Sequence, residues 1–407
     1  MTATQQPTRS DGRATFLSEG YSLPWALEPE HLDWQASVRD FCASTVADSA
    51  AERSIEAIFD PELVRAAGRL GAFGLLAPAE FGGAGADVRS LCLAAEEMAT
   101  VDSSLAVTVH VQAICVALLA HLAADRPELC RSILPSACTG ETFISIGLTE
   151  PSGGSDAGSI STVARQDAGG WVINGAKQFI TNSGTPFSRY VILLAAVGSE
   201  HNRRLPMSAF LVPLDAPGVT VGQPYAKLGW RASDTRPLFF DDVRVPADAL
   251  LSEPGGGYRD VLEFLTWARL PIAAMSAGLA RGCLADTLRF VDERRSFGRS
   301  LGEHQGVAFQ AADIAALAAT ARTLTYDAAW KYDHGLSIKR EASIAKLVAS
   351  EAANKAAYLA TQLQGGYGFI QETAATRHYQ DARILTIGEG TSEVQRMLIA
   401  RGLGLPA

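Results

Sequence analysis

The sequence predicts an α+β multidomain protein: a helical N-terminal domain, a β domain and a C-terminal helical domain, in that order. Three observations carry this. From Pro29 apolar residues recur at three-to-four spacing, as on one face of a helix. At Phe143 the period changes to short apolar runs divided by turn residues. From Tyr258 to the end the chain is Ala-rich, with long amphipathic helical runs. Helices, then strands, then helices is not the alternation of a doubly wound sheet. With 407 residues and 47% hydrophobic content the chain can bury a large core and divide into two or three domains. The expected division is a flexible tail over 1–26, then domains 27–142, 143–253 and 254–407.

Residues 1–20 are rich in Thr, Gln, Ser and Gly without any period, which is why a mobile tail is expected there. Trp34, Val38 and Phe41 then mark a helix face. Pro61 stands where a first helical turn begins, and Leu63, Ala66, Ala67 and Leu70 continue it. The glycine-rich stretch 71–85 breaks the pattern. Helices follow over 88–101 and 103–124, with a further one before Pro135. In the β domain, Trp171-Val172-Ile173 and Gln178-Phe179-Ile180 flank Asn174-Gly175, the dipeptide of a tight hairpin. Further strands are expected over 190–197, 209–214, 219–222 and 237–245. The glycine loop 254–257 closes the domain, and helices run over 269–295, 304–334 and 340–364.

Composition excludes several classes. A net charge of −9 argues against nucleic acid and anionic membrane surfaces, both of which select basic patches. Six cysteines without C-x-x-C spacing, and no secretory apolar segment, make a reducing cytoplasm the expected location and leave no metal motif. The apolar stretch 103–124 carries His110, Gln112 and His121, so it reads as a buried helix and not a membrane span.

Several stretches have the equipment for chemistry, and each has an ordinary reading beside it. In 148–156, LTEPSGGSD, consecutive backbone N–H groups and hydroxyls can cradle a pyrophosphate or a flat heterocycle; a glycine-rich loop explains it equally. Phe179 and Thr181 lie two apart on one strand face, fit to stack beside a ring and hydrogen-bond it, or to be core and turn. The basic turn 294–298, RRSFG, can meet phosphates or simply end a helix. The stretch 362–368, QLQGGYG, is an ordinary helix stop. Near the C-terminus Glu389 stands between two glycines, free of side-chain packing, ahead of a helix start at Thr391-Ser392-Glu393-Val394-Gln395. Ser392 and Gln395 read as a capping box that fixes this start, and a helix N-terminus there favours an anionic group.

Taken together with 227–246, KLGWRASDTRPLFFDDVRVP, these motifs in this order and spacing resemble the acyl-CoA dehydrogenase family over residues 27–403. The resemblance implies a helical N-terminal domain, a central β-barrel-like domain and a C-terminal helical bundle, assembled as a homotetramer, a dimer of dimers. It also implies FAD between the β domain and the C-terminal helices. By resemblance the flavin is lined by Ile146, Leu148, Thr149, Gly154 and Ser155, with Phe179, Ile180 and Thr181 against the ring; Phe179 replaces a frequent Trp. Arg294, Ser296, Phe297, His304, Gln305, Gln362, Gly365 and Gly366 match positions that reach FAD partly from a neighbouring subunit. Thr391 and Glu393 fall at its adenosine end, Glu393 in place of a frequent Gln.

Glu389 matches the catalytic base of the short-chain, medium-chain and glutaryl branches, whereas the isovaleryl-type base position is Ala268, which cannot act. The resemblance thus implies dehydrogenation of an acyl-CoA to a trans-2-enoyl-CoA, with Glu389 taking the α-proton and the flavin the β-hydride. Ser155, Thr266, Arg269, Gly390 and Arg401 match coenzyme A or thioester contacts. The acyl pocket should draw on 107–114, where His110 and Gln112 suit a short or functionalised acyl group; for His110 a satisfied core histidine is the ordinary alternative. An electron-transfer flavoprotein is the implied electron acceptor. A carrier-protein thioester as substrate and a non-catalytic flavin- or acyl-CoA-binding subunit stay open as alternatives.

Overall fold

The computed structural model describes residues 16–17, 20–197 and 206–406. Most of the expected tail lies outside these residues. Its described end corrects the expectation: Leu23 and Ala26 are buried in the main core, and the Arg322 guanidinium donates to the Tyr21 carbonyl.

The N-terminal domain contains α1 (Pro29–Phe41), α2 (Ala50–Glu56), α3 (Pro61–Arg69), α4 (Val88–Ala99), α5 (Ser103–Leu122) and α6 (Pro127–Cys138). Aspartates start three of these. The side chains of Asp60, Asp87 and Asp102 accept from amides in the first turns of α3, α4 and α5, groups that otherwise have no partner within the helix. Helix α5 is apolar all round because it is the core helix: 78% of its most apolar window is buried inside the protein. Helix α6 does not stop before Pro135 but runs three residues past it. The proline removes one helical donor, and burial of Ile133, Leu134 and Ala137 holds the turns on either side.

The β domain is one mixed seven-stranded sheet of β1 (Phe143–Gly147), β2 (Val163–Asp167), β3 (Gly170–Thr181), β4 (Ser188–Val197), β5 (Met207–Pro213), β6 (Val219–Val221) and β7 (Thr235–Val245). Its order is β1-β4-β2-β3-β7-β6, with β5 on β4. Strands β3 and β5 are therefore separated by two others, about 14 Å in a flat sheet. Yet the Trp171 and Phe210 rings meet at 5.2 Å, edge to face. The sheet curls round its own core of Trp171, Ile173, Leu193, Phe210, Leu238 and Val243, the barrel-like form expected. Alternate β4 residues, Ile192 and Leu194, pack on the helical core instead, which is why this strand is apolar throughout.

The expected hairpin at Asn174-Gly175 is corrected. Strand β3 runs straight through it, and the chain reverses at 168–169, where Asp167 pairs with Gly170. Gly175 is needed for a close approach: an added Cβ would lie 2.6 Å from the Thr162 Cα. It also marks a register shift of β3 against β7.

The C-terminal domain contains α7 (Gly257–Glu293), the hairpin strands β8 (Arg295–Ser296) and β9 (Arg299–Ser300), α8 (Gln305–Asp333), α9 (Lys339–Gln364), α10 (Ala374–Leu385) and α11 (Ser392–Gly402). Helix α7 lies against α4 so closely that a Cβ on Gly278 would stand 2.0 Å from the Glu96 carbonyl oxygen. A buried ionic network crosses this contact. Arg281 pairs with Glu97 at 2.6 Å, Arg322 with Glu96 at 3.0 Å, and the Tyr326 hydroxyl donates to Glu96 at 2.7 Å. Each buried charge thereby has an opposite partner, the condition for keeping it out of water.

Candidate active site

Three surfaces bring the expected residues together. The first leaves the end of β1. Lys177 on β3 donates to Glu150 at 2.7 Å and to the Leu148 carbonyl at 3.3 Å. Glu150 also accepts from the amides of Ser161 and Thr162. Burial alone would raise the Glu150 carboxyl, but Lys177 and these amides hold it below its usual range. Burial pushes the Lys177 ammonium down to about 8, against the pull of Glu150. Beneath this pair the backbone is fixed further by the Gln178 amide, which donates to the Thr149 carbonyl at 2.8 Å. The turn 151–156, with Gly154 and Ser155, is exposed above it. An added Cβ on Gly153 would meet nothing within 4 Å. Beside the turn, Phe179 has φ +61° and is 60% exposed. Thr181 shares its side of the strand and is partly buried, as are Ile146 and Leu148. Ile180 points the other way: its side chain is buried in the β core, which leaves its backbone to meet a ligand.

The second surface is the hairpin after α7. Phe297 and Gly298 both have positive φ, 50° and 83°, the requirement of a two-residue I′ turn. This leaves the Phe297 ring 96% exposed. His304 braces the hairpin, 3.2 Å from the Ser296 carbonyl, and Gln305 opens α8. The Arg294 guanidinium lies over the Tyr367 ring at 5.9 Å, joining the hairpin to the turn at Gly365 and Gly366. Both glycines, and Gln362 before them, are exposed, and an added Cβ on either glycine meets nothing within 4 Å. Among the described residues no hydrogen bond, ion pair or ring contact joins this surface to the first.

The third surface is the elbow between α10 and α11. Glu389 has φ +54° and Gly390 φ +87°. The Gly388 amide closes the preceding turn on the Ile384 carbonyl, whereas the Glu389 amide donates to no group among the described residues. Burial raises the Glu389 carboxyl above its ordinary value, opposed by the charges of Arg269 and Lys346. Arg269, on α7, is pulled down by burial and supported by Glu389.

The expected capping box is corrected by one residue. Thr391 is the N-cap, accepting from the Val394 amide at 3.3 Å. Ser392 is already helical and donates to Glu351. Gln395 reaches past it to the carbonyls of Glu389 and Gly390, at 3.2 and 3.0 Å. Glu393 is exposed, its carboxyl lowered by its own amide and by Thr391.

Other expected contacts vary. Thr266 turns its hydroxyl onto the Leu262 carbonyl of its own helix at 3.0 Å. Trp267 packs between Phe264 and Tyr332, with ring centroids 4.5 and 5.9 Å away. Ala268 is buried, and Arg401 is exposed near the end of α11. Gln112 is corrected as a polar group for the acyl pocket. Its amide donates to the carbonyls of Ala137 and Thr142 and accepts from the Ile144 amide, so every contact ties α5 to β1 and α6. His110 is fully buried, yet among the described residues neither ring nitrogen has a hydrogen-bond partner. Burial takes it down to about 3, so the ring is neutral. Among the described residues nothing satisfies this core histidine.

Lys346 and Lys177 escaped the sequence reading. Both look like ordinary surface charges in their patterns, and only their complete burial reveals their roles. All six cysteines are buried and unpaired, and no group of metal-binding side chains occurs among the described residues. Chemically, the third surface offers a carboxylate of raised basicity beside a free backbone donor, the pair needed to move a proton from carbon.

Three family models match the chain. The acyl-CoA dehydrogenase N-terminal domain covers residues 28–141, the middle domain 145–243 and the C-terminal domain 255–404. The mitochondrial short-chain specific acyl-CoA dehydrogenase of Bos taurus is 36% identical, covering 95% of this chain and 96% of its own. The solved butyryl-CoA dehydrogenase of Megasphaera elsdenii is 33% identical with a TM-score of 0.88, covering 94% of this chain and 100% of that one. A glutaryl-CoA dehydrogenase of Mycobacterium smegmatis, solved in complex with FADH2, is 28% identical with a TM-score of 0.87, covering 94% and 96%.

Proposed function

The chain belongs to the acyl-CoA dehydrogenase family, and on that premise we propose that it converts an acyl-CoA thioester to its trans-2-enoyl-CoA with Glu389 as the base. One observation carries the assignment to this residue: Glu389 presents a carboxyl of raised basicity and an unused backbone N–H from the same left-handed residue.

The family is flavin-dependent, and the residues here fit such a group. Phe179 offers an exposed ring face beside the open 151–156 turn, and Gly365 and Gly366 leave room for close backbone approach. Thr149, Ser155, Phe179 and Thr181 would hold FAD from one subunit, with Arg294, Phe297, His304 and the 362–366 turn reaching it from a neighbour. Bound there, FAD supplies the acceptor for the hydride leaving Cβ.

The chain's own residues do the rest. The Glu389 carboxylate takes the α-proton. Negative charge then gathers on the thioester oxygen, where the free Glu389 N–H stands ready to donate; one such preorganised donor is worth roughly 3 to 4 kcal/mol. The charges of Arg269 and Lys346 oppose the effect of burial and favour the ionised carboxylate that this step requires. A homotetramer and an electron-transfer flavoprotein as oxidant complete the reading.

The test is anaerobic mixing of the flavin-loaded protein with straight short-chain acyl-CoA thioesters, butyryl-CoA first. Flavin absorbance should bleach as the enoyl product forms. A flavin-loaded protein that no acyl-CoA bleaches would end this reading.

A further inference from the structure

The Glu389 elbow is held by two side chains that figure in no expected ligand contact. Lys346 lies on the buried face of α9, among Ala342, Ala345, Ala349 and Ala353, and is fully buried itself. Its Nζ donates to the Gly390 carbonyl at 2.7 Å, its one hydrogen bond among the described residues. Gln395 is equally buried. It gives its amide protons to the Glu389 and Gly390 carbonyls and leaves its own oxygen without a partner among the described residues. Two buried polar side chains thus spend their donors on one turn of backbone. Nothing about packing requires a lysine at a position lined with alanines, since a buried ammonium is costly to desolvate.

The turn they hold is strained. A non-glycine residue in the left-handed region persists only where its surroundings over-determine it, and Glu389 has φ +54°. We propose that Lys346 and Gln395 are positioning residues of the Glu389 elbow, clamping the two carbonyls after its Cα so that its carboxylate and free N–H face the substrate together. The inference rests on Glu389 being the base.

The charges bear on it as well. Lys346 is faced by Glu389 from the elbow, Arg269 from α7, Glu351 from its own helix and Glu393 from α11; burial takes it down to about 8. Glu389 is faced by Arg269 and Lys346, and the buried Cys115 thiol of α5 feels its charge. Lys346 therefore also favours the ionised base, so removing its charge must raise the Glu389 carboxyl further.

Lys346→Met, Lys346→Arg and Gln395→Leu test this in the full-length, flavin-loaded protein. Reduction by butyryl-CoA is followed from about pH 5.5 to about pH 9, together with α-hydrogen exchange of butyryl-CoA in deuterated water, which reads the base without electron transfer. Lys346→Met should retain flavin, lose about tenfold or more in both rates at neutral pH, and show its acid limb moved up by about one pH unit. Lys346→Arg should return the limb toward the wild-type position. Gln395→Leu should slow both rates with the limb unmoved, because it removes no charge. Wild-type rates and limb in Lys346→Met would overturn the proposal. So would wild-type rates in Gln395→Leu if Lys346→Met proves unable to fold. A wild-type protein that neither exchanges nor reduces any acyl-CoA sinks the Glu389 reading, and this inference with it; a reactive wild type with equally reactive variants sinks this inference alone.

Discussion

Lys177 on β3 stands 2.7 Å from Glu150 on the turn after β1, with both side chains out of solvent. The pair fixes the strand end from which Thr149 and Ser155 are presented. Breaking a buried pair by removing one partner strands the other charge, a loss of about 3–5 kcal/mol. Lys177→Met is therefore expected to lower the unfolding midpoint and to emerge from gel filtration with less flavin. The double variant Lys177→Met/Glu150→Met should recover part of the stability, since no lone charge remains. A single variant as stable as the wild type would leave the pair without this role.

Among the described residues no hydrogen bond, ion pair or ring contact joins the hairpin bearing Phe297 to the first surface of its own chain, which suits a contribution to a neighbour's site. Arg294→Gln is expected to weaken flavin retention with little change in thermal unfolding, because among the described residues this side chain's one interaction is with the Tyr367 ring. The flavin-to-protein ratio after gel filtration reads this directly. Dilution to monomers should release flavin from the wild-type protein as well; flavin held firmly by a monomer would contradict the shared site.

His110 is a buried ring whose two nitrogens have no hydrogen-bond partner among the described residues. Replacing it with leucine removes both, so His110→Leu should be more stable by about 1 kcal/mol at neutral pH. The sign of the pH dependence follows from the depressed value. Folding keeps the ring neutral down to about 3 instead of its ordinary 6.5, so the wild type loses stability as pH falls through that interval and the variant does not. Denaturant midpoints across this range should diverge on acidification. A destabilised His110→Leu would mean that the ring serves a partner, such as an ordered water or a polar acyl group.

Asp381 on α10 accepts from the Trp230 amide at 2.6 Å, linking the C-terminal domain to the loop before β7. Burial raises its carboxyl to about 7, from 3.8. A carboxyl raised on folding contributes stability below its unfolded value, and this is lost as pH rises through its folded value. Asp381→Asn keeps the acceptor and removes the titration. Its unfolding temperature should hold between about pH 4 and about pH 7 while that of the wild type declines relative to it. Parallel curves would show that Asp381 is ionised throughout.

Much of this was legible in the sequence where the residues obey one period. Strands β4, β5 and β7 and the long helices α7 to α9 emerge from apolar spacing, and Glu389 stands out between its glycines. The losses have physical causes. Strand β2, Val163-Ala164-Arg165-Gln166-Asp167, buries only Ala164 and so carries no alternation to detect. Asn174-Gly175 has hairpin chemistry, but its glycine serves a close approach to Thr162. The elbow's cap fell one residue early because Thr391 and Ser392 are both good caps and only the backbone decides between them. Lys177, Lys346 and Gln112 act through burial, which no spacing reveals for a lone polar residue in an apolar pattern.

The central claim is that Glu389 is the base, and Glu389→Gln tests it most directly. The flavin-loaded variant is mixed anaerobically with butyryl-CoA while flavin reduction and ligand binding are followed together. It should hold flavin and bind the thioester, with reduction slowed by about a thousandfold or more, since an amide cannot accept the α-proton. Reduction at a rate near that of the wild type would remove Glu389 from the mechanism.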